Sequence, residues 1–323
     1  MVKQKETILV TGGAGFIGSH VVDSYIDLGH KVVIADNLYS GKKTNLNPKA
    51  TFVKTDIRDA KAVAKLIARY KPAIINHHAA QKSVTHSVSE PAEDLAINGL
   101  GLINLIESGR SHGLKRVVFA STGGAIYGDT EQIPTPEETP TFPASPYGIT
   151  KMLGEHYLRY YRDTFGIESV ILRYSNVFGP RQDPFGEAGV IAIFTKKVIG
   201  GEAPTIFGDG LNSRDYIYVG DVAKANIAAL DIPLQNKTIT INIGTGSETD
   251  VNTLYDIVAN TAINHFKLES VPQKAKTAAG RAGEQRRSCL NNALAGEVLG
   301  WQPSISLEEG IILTMEYFLD AKN

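Results

Sequence analysis

The sequence predicts an α/β fold, a doubly wound parallel sheet with a smaller, partly interleaved second domain. Three observations predict it. Short apolar, β-rich runs alternate with helix-length segments through the first half of the chain, the pattern of βαβ units whose strands are covered on both faces. A glycine triplet follows the first run and an acid closes the second. After Asn176 the alternation loosens into Gly- and Pro-bearing stretches.

The elements follow in order. "TILVTGG" reads as a strand, succeeded by a helix from about Gly15 to Leu28. "KVVIAD" and "TFVKTDI" are the next strands, a helix follows near Ala60 to Tyr70, and "AIINHHAA", "LKRVVFAST" and "ESVILRYSN" continue the set. The Pro/Thr-rich "TEQIPTPEETPTFPASP" is a long loop. "DYIYVGDVA" and "TITINIGTG" read as further strands, each with a helix behind it, and Ser306 to Leu319 as an amphipathic helix. Residues 1–175 are assigned to the first domain, with segments near 215–245 as candidates to return to it, and 176–323 mainly to the second.

With 323 residues the chain has room for about two domains. Its net charge of -1 offers no electrostatic reason to expect nucleic acid or an anionic membrane, so the expected partner is a small molecule. The basic stretch "KAKTAAGRAGEQRR" lacks the interleaved aromatics of a nucleic-acid patch. A single cysteine, Cys289, excludes an intramolecular disulfide and stands in no metal-ligand spacing. His77 and His78 are adjacent in an extended run and point to opposite sides, which is unsuited to shared metal ligation, and no metal is expected. "MVKQKETILVTGG" runs from a few charged residues straight into a strand, without the apolar segment of a signal peptide, so a cytoplasmic location is expected.

The triplet Gly13-x-Gly15-x-x-Gly18, with Gly12 before it, lies between a strand and a helix. Glycines there let the backbone turn tightly beside a pyrophosphate, and the helix amides attract its charge, the signature of a Rossmann dinucleotide site. Phe16 and Ile17 belong to the same turn. Asp36, at the end of the second strand, is placed to accept ribose hydroxyls and to repel a 2'-phosphate, which favours NAD over NADP, with Asn37 beside it. Asp56 and Ile57 offer a carboxylate and an apolar wall near the adenine, the alternative for Asp56 being a helix cap. Ala79 and Ala80 are small enough for close passage of a cofactor.

"SPYGITK" places Tyr147 one helical turn ahead of Lys151, on one face of a helix that opens after the proline-rich loop. Ser121 and Thr122 end a parallel strand, where such folds bind ligands. Together "TGGAGFIGSH", "DNLYSG", "HHAAQKSV", "STGGAIYG", "SPYGITK", "LRYSNVFGPRQ", "SRDYIYVGDVA" and "LGWQP" resemble the extended short-chain dehydrogenase/reductase superfamily, and within it the NAD-dependent nucleotide-sugar epimerases. The likeness covers nearly the whole chain.

The resemblance implies that Tyr147 is the base for a sugar hydroxyl, with its pKa lowered by Lys151 and the nicotinamide ring. Thr122 is the first choice and Ser121 the second for the hydroxyl at the reacting oxygen, because the position where many relatives carry Ser or Thr is Gly123 here. Lys82 and Asn98 would line the cofactor site. Asn176, Phe207, Arg214 and Arg281 would hold the nucleoside diphosphate and sugar. Ser288 would gate the sugar pocket, its small side chain leaving room for a 2-acetamido group. The implied activity is 4-epimerisation of a UDP-sugar, UDP-glucose with UDP-galactose and the N-acetylated pair, by a homodimer through a transient 4-keto sugar. The alternatives are a uronic-acid epimerase, decarboxylase or dehydratase of the same fold, and a non-catalytic nucleotide sensor. "STGGAIYG" lacks the acidic pair that a 4,6-dehydratase needs, and a sensor has no use for Tyr147 and Lys151.

Overall fold

The apolar runs become the strands of one seven-stranded sheet. The computed structural model describes residues 5–185, 189–280 and 285–320. β1 (Thr7–Thr11), β2 (Lys31–Asp36), β3 (Thr51–Lys54), β4 (Ile74–His77), β5 (Arg116–Thr122) and β6 (Glu168–Tyr174) are joined by a late strand, Thr238–Ile243. The spatial order is β3-β2-β1-β4-β5-β6 and then Thr238–Ile243, every pair parallel. The winding reverses between β1 and β4, so a ligand crevice opens at their carboxyl ends.

Successive strand residues face opposite sides, and each side has its own core. Val10, Ile34, Val118 and Leu172 pack with Val21 and Tyr25 of α1 (Phe16–Asp27), with Ala225 of the Val219–Asp231 helix, and with Trp301. Their neighbours Leu9, Val33, Val117 and Ile171 pack on the other side with Leu66 of α2 (Ala60–Tyr70), Leu105 and Leu158. A third cluster, with Phe178, Phe194, Leu254 and Met315, forms a lobe over the carboxyl ends. The Leu307–Asp320 helix that supplies Met315 lies one residue from its expected span.

The chain enters the main layers more than once. The Val219–Asp231 helix lies against α1, and the strand behind it takes the sheet edge next to β6. Of the two late strand patterns, only "TITINI" joins the main sheet; Tyr216–Tyr218 pairs with Asn176–Phe178 instead. Two further small ladders complete the lobe. Thr205–Phe207 pairs with Lys276–Ala278, and Ser213–Arg214 lies between Thr249–Asp250 and Arg287–Ser288.

Candidate active site

The turn after β1 is built by close approach. Gly12 has φ 70, and a Cβ there would stand 2.6 Å from the Ala79 nitrogen, so the turn presses against the end of β4. Gly15 is the extended N-cap of α1, and no side chain caps that helix. The amides of its first turn, at Phe16, Ile17 and Gly18, are therefore offered to an anion. The Asp36 carboxylate is buried and takes the amides of Ala14 (3.0 Å) and Leu38 (2.8 Å), one on each oxygen. Each oxygen keeps acceptor capacity. An uncapped helix terminus beside a buried acid fits a dinucleotide, diphosphate on the first and ribose on the second.

Other residues expected here divide. Ala79 and Ala80 border the turn, Ala79 donating its amide to Thr11 Oγ1 at 3.2 Å. Ile57 is buried against Gly101. Asn37 donates to Asp56 (3.1 Å), but Asp56 is clamped by Arg58, whose guanidinium holds the carboxyl well below the usual range. Asp56 is not the cap of α2; Asp59 is, accepting from the Lys61 and Ala62 amides. Lys82 is exposed. Asn98 is buried with its amide group fully engaged, accepting from the Gln81 nitrogen (2.9 Å) and donating to the Gln81 carbonyl, Asp94 and Thr150. It lies in a π-helical turn, Ala96–Leu100, of the helix across 91–110.

The reactive pair sits at the start of the Pro146–Phe165 helix. Ser145 caps it, accepting from the Gly148 amide at 3.2 Å, and Pro146 sets the first turn. A Cβ at Gly148 would be 2.5 Å from the Ala125 carbonyl oxygen, so glycine lets this turn reach the segment after β5. Thr122, the last residue of β5, is the hydroxyl that lowers the Tyr147 phenol. The preceding residue faces the other way: Ser121 donates to Glu155 at 2.7 Å. Lys151 is buried, donates to the Ala120 carbonyl (2.9 Å) and holds its ammonium 5.9 Å from the Tyr147 ring centre. Burial pushes the Tyr147 phenol up to about 12, against the Thr122 hydrogen bond. It pushes the Lys151 ammonium down to about 8, against the charge of Asp94. Burial is the largest influence on the phenol, and the charge of Asp94 adds to it.

On the substrate side, backbone bonds knit the lobe to the sheet. The Asn176 amide donates to the Asp215 carbonyl and the Asp215 amide to the Ser288 carbonyl, 2.9 Å each. Asn176 Oδ1 stands over Gly124, 3.7 Å from where a Cβ would be. Arg214 is the register partner of Ser288, so these two lie side by side; Ser288 is buried. Arg214 donates to the Ser213 carbonyl at 2.8 Å. Phe207 is partly exposed in its own small ladder. Arg281 lies outside the described residues.

Sequence reasoning passed over four buried acids: Asp221, which takes the Ser304 and Ile305 amides beside Trp301, and three nearer the residues above. Asp94 accepts from Thr150 (2.6 Å), Gln81 (2.9 Å) and Asn98 (3.1 Å). Glu155 takes Arg173 in a two-pronged pair at 2.6 and 2.9 Å, and Arg173 donates on to Tyr127. Asp215 gathers the amides of Thr245, Gly246 and Leu290, while burial pushes its carboxyl up. Asp94 and Glu155 did leave a signal, each an acid one helical turn from a singled-out residue, Asn98 and Lys151. His77 and His78 stack on Phe119 and Tyr174, members of the two opposite cores. Among the described residues no group of His, Cys, Asp and Glu could hold a metal.

A model of the NAD dependent epimerase/dehydratase family matches residues 8–244. A UDP-glucose 4-epimerase of Mycolicibacterium smegmatis is 43% identical over 96% of this chain and 97% of its own. Among solved structures, the UDP-glucose 4-epimerase of Thermotoga maritima with UDP-glucose superposes with a TM-score of 0.92 at 46% identity, covering 98% of this chain and 100% of that one. The Thermus thermophilus UDP-glucose 4-epimerase complex with NAD gives 0.89 at 40%, over 98% and 99%. A UDP-N-acetylglucosamine 4-epimerase of Methanobrevibacter ruminantium with UDP-N-acetylmuramic acid gives 0.89 at 34%, over 98% and 99%.

Proposed function

The chain belongs to the NAD dependent epimerase/dehydratase family, and from that premise we infer that it is an NAD-dependent UDP-sugar 4-epimerase, interconverting UDP-glucose and UDP-galactose. The observation that carries this reading is Tyr147, one turn ahead of Lys151 and within the influence of the Thr122 hydroxyl at the carboxyl end of β5, in the same parallel sheet whose glycine turn follows β1. Bound NAD would supply a reversible hydride acceptor for the sugar carbon and a positive ring that favours phenolate. The amides at the start of α1 bind the diphosphate, and Asp36 takes the ribose. Tyr147 removes the hydroxyl proton and later gives it back, Thr122 orients the two oxygens, and Lys151 supplies a fixed positive charge. Asn176, Phe207, Arg214 and Arg281 hold the UDP-sugar. Purified protein incubated with either hexose nucleotide, without added reductant, is expected to form the other. A dehydrated or decarboxylated product, or no product, overturns the reading.

The strand alternation, which turns Ser121 toward Glu155, supports Thr122 for the hydroxyl role. Thr122→Ala should lower kcat by ~10-fold or more, the scale of one hydrogen bond to a charged transition-state group. Ser121→Ala should spare kcat and weaken the fold, because it removes a donor from Glu155. The opposite ranking transfers the role to Ser121.

Ser288 admits the acetamido group of the N-acetylated pair. A tyrosine there overfills the pocket at about 1–3 kcal/mol, so Ser288→Tyr should slow the acetylated pair by roughly 10–10²-fold and spare UDP-glucose. Equal loss on both pairs removes the gate from this position.

No helix of the described residues is long and apolar enough to cross a membrane. The enzyme works as a homodimer in the cytoplasm. Exposed Leu95, Leu100, Ile149 and Tyr160 lie on two helices that pack together, an apolar face suited to a second copy. Sedimentation should give twice the chain mass, and cell fractionation should recover the protein with the cytosol; a monomer or a membrane-bound fraction counts against these assignments.

A further inference from the structure

Asp94 is completely buried, and among the described residues no Lys, Arg or His stands within ion-pair distance of it. A carboxylate in that position costs several kcal/mol unless its surroundings repay it. Three donors meet it: the Thr150 hydroxyl at 2.6 Å on one oxygen, and the amides of Gln81 (2.9 Å) and Asn98 (3.1 Å) on the other. Each donor belongs to a different part of the site. Gln81 ends the segment that Gly12 presses against, Asn98 sits in the π-helical turn, and Thr150 lies between Tyr147 and Lys151 on their own helix. The same Thr150 oxygen stands 3.1 Å from the Tyr147 carbonyl, a second acceptor for its one proton, and the shorter bond, to Asp94, ties the turn carrying the reactive pair to this carboxylate.

On the assignment of Tyr147 and Lys151 made above, we propose that Asp94 is a positioning residue: its bond to Thr150 holds the reactive turn against the cofactor-side segment, and its buried charge acts on the pair that this turn carries. The electrostatics point the same way. Asp94 is the charged group that raises both Lys151 and Tyr147, opposing burial at the first and adding to it at the second. The other titratable groups facing the pair stay fixed. His77 is held neutral by burial and then by the Lys151 charge, and His78 is pushed by the same two causes to about 3. Glu155, one turn beyond Lys151, is neutralised by Arg173. Thr122 and the Ala120 carbonyl do not titrate.

Asp94→Asn removes the charge and keeps the shape. Both limbs of the pH profile of kcat should then move to lower pH by about one unit or more, the alkaline limb because Lys151 loses its proton sooner, the acid limb because phenolate forms sooner. A variant that loses kcat with unmoved limbs overturns the proposal. Should Asp94→Asn not fold, Thr150→Val and Thr150→Ser decide: the first should lower kcat about tenfold with KM little changed, the second should restore it, and wild-type kcat in Thr150→Val overturns the proposal. Tyr147→Phe, assayed alongside, separates the two levels. If it stays active, the underlying assignment fails; if it is inactive while the Asp94 and Thr150 variants behave as wild type, only the positioning role fails.

Discussion

Tyr147→Phe should lower kcat by ~10²–10⁴-fold, the contribution of a positioned general base, while NAD and UDP-sugar still bind. Only the phenolic oxygen is lost; the ring, its place at the start of the helix and the Ser145 cap remain. Turnover should fall with KM nearly unchanged, since a group that acts in the transition state leaves ground-state binding intact. Activity within a factor of about ten of wild type would give the base role to another group and leave Tyr147 as lining. The comparison is sharp because the phenol, pushed up to about 12 by burial, is neutral in the resting protein. Phenylalanine therefore changes no charge there.

The second large effect concerns stability. Glu155→Ala should cost about 3–5 kcal/mol, because Arg173 is left charged in a dry interior without its partner. The side chains are 1% and 4% exposed, so solvent screening offers little relief. The damage spreads along the hydrogen bonds: Ser121 loses its acceptor, and Tyr127, which links Arg173 to Asn242 of the edge strand at 2.8 Å, loses its anchor. Urea unfolding followed by tryptophan fluorescence checks it through Trp301, a member of the sheet's own core. An unfolding midpoint equal to wild type would mean that Arg173 finds another acceptor.

What the sequence made legible follows from how local each feature is. The strands β1 to β6 and α1 and α2 could be read because apolar runs and helix periods are local; Ala60–Tyr70 falls where expected, helped by Asp59 as its cap. The glycine turn and the tyrosine–lysine spacing are local too. The partner of "TITINI" was not legible, since two late segments had strand character and only assembly decides which one completes the sheet. Asp94 is the clearest case at the site. One acid in "PAEDLAIN" looks like any solvated helix residue until the fold brings Thr150 and Gln81 onto it. The choice between Ser121 and Thr122 needed the strand's register, a one-residue matter that reverses side-chain direction.

The late edge strand also sets the order in which this protein can be completed. During synthesis β6 emerges long before Thr238–Ile243, so its outer edge stays unpaired while more than sixty residues, including the first part of the lobe, leave the ribosome. That growing chain carries an open row of amides and carbonyls, the kind of edge that recruits other chains. Trp301, which packs into the same core and donates its indole N–H to the Asp221 carbonyl at 2.9 Å, arrives later still. The nucleotide-binding layers are therefore finished only after Trp301 has emerged, and a fragment that stops after β6 holds most of the site's residues on a sheet that lacks its last strand.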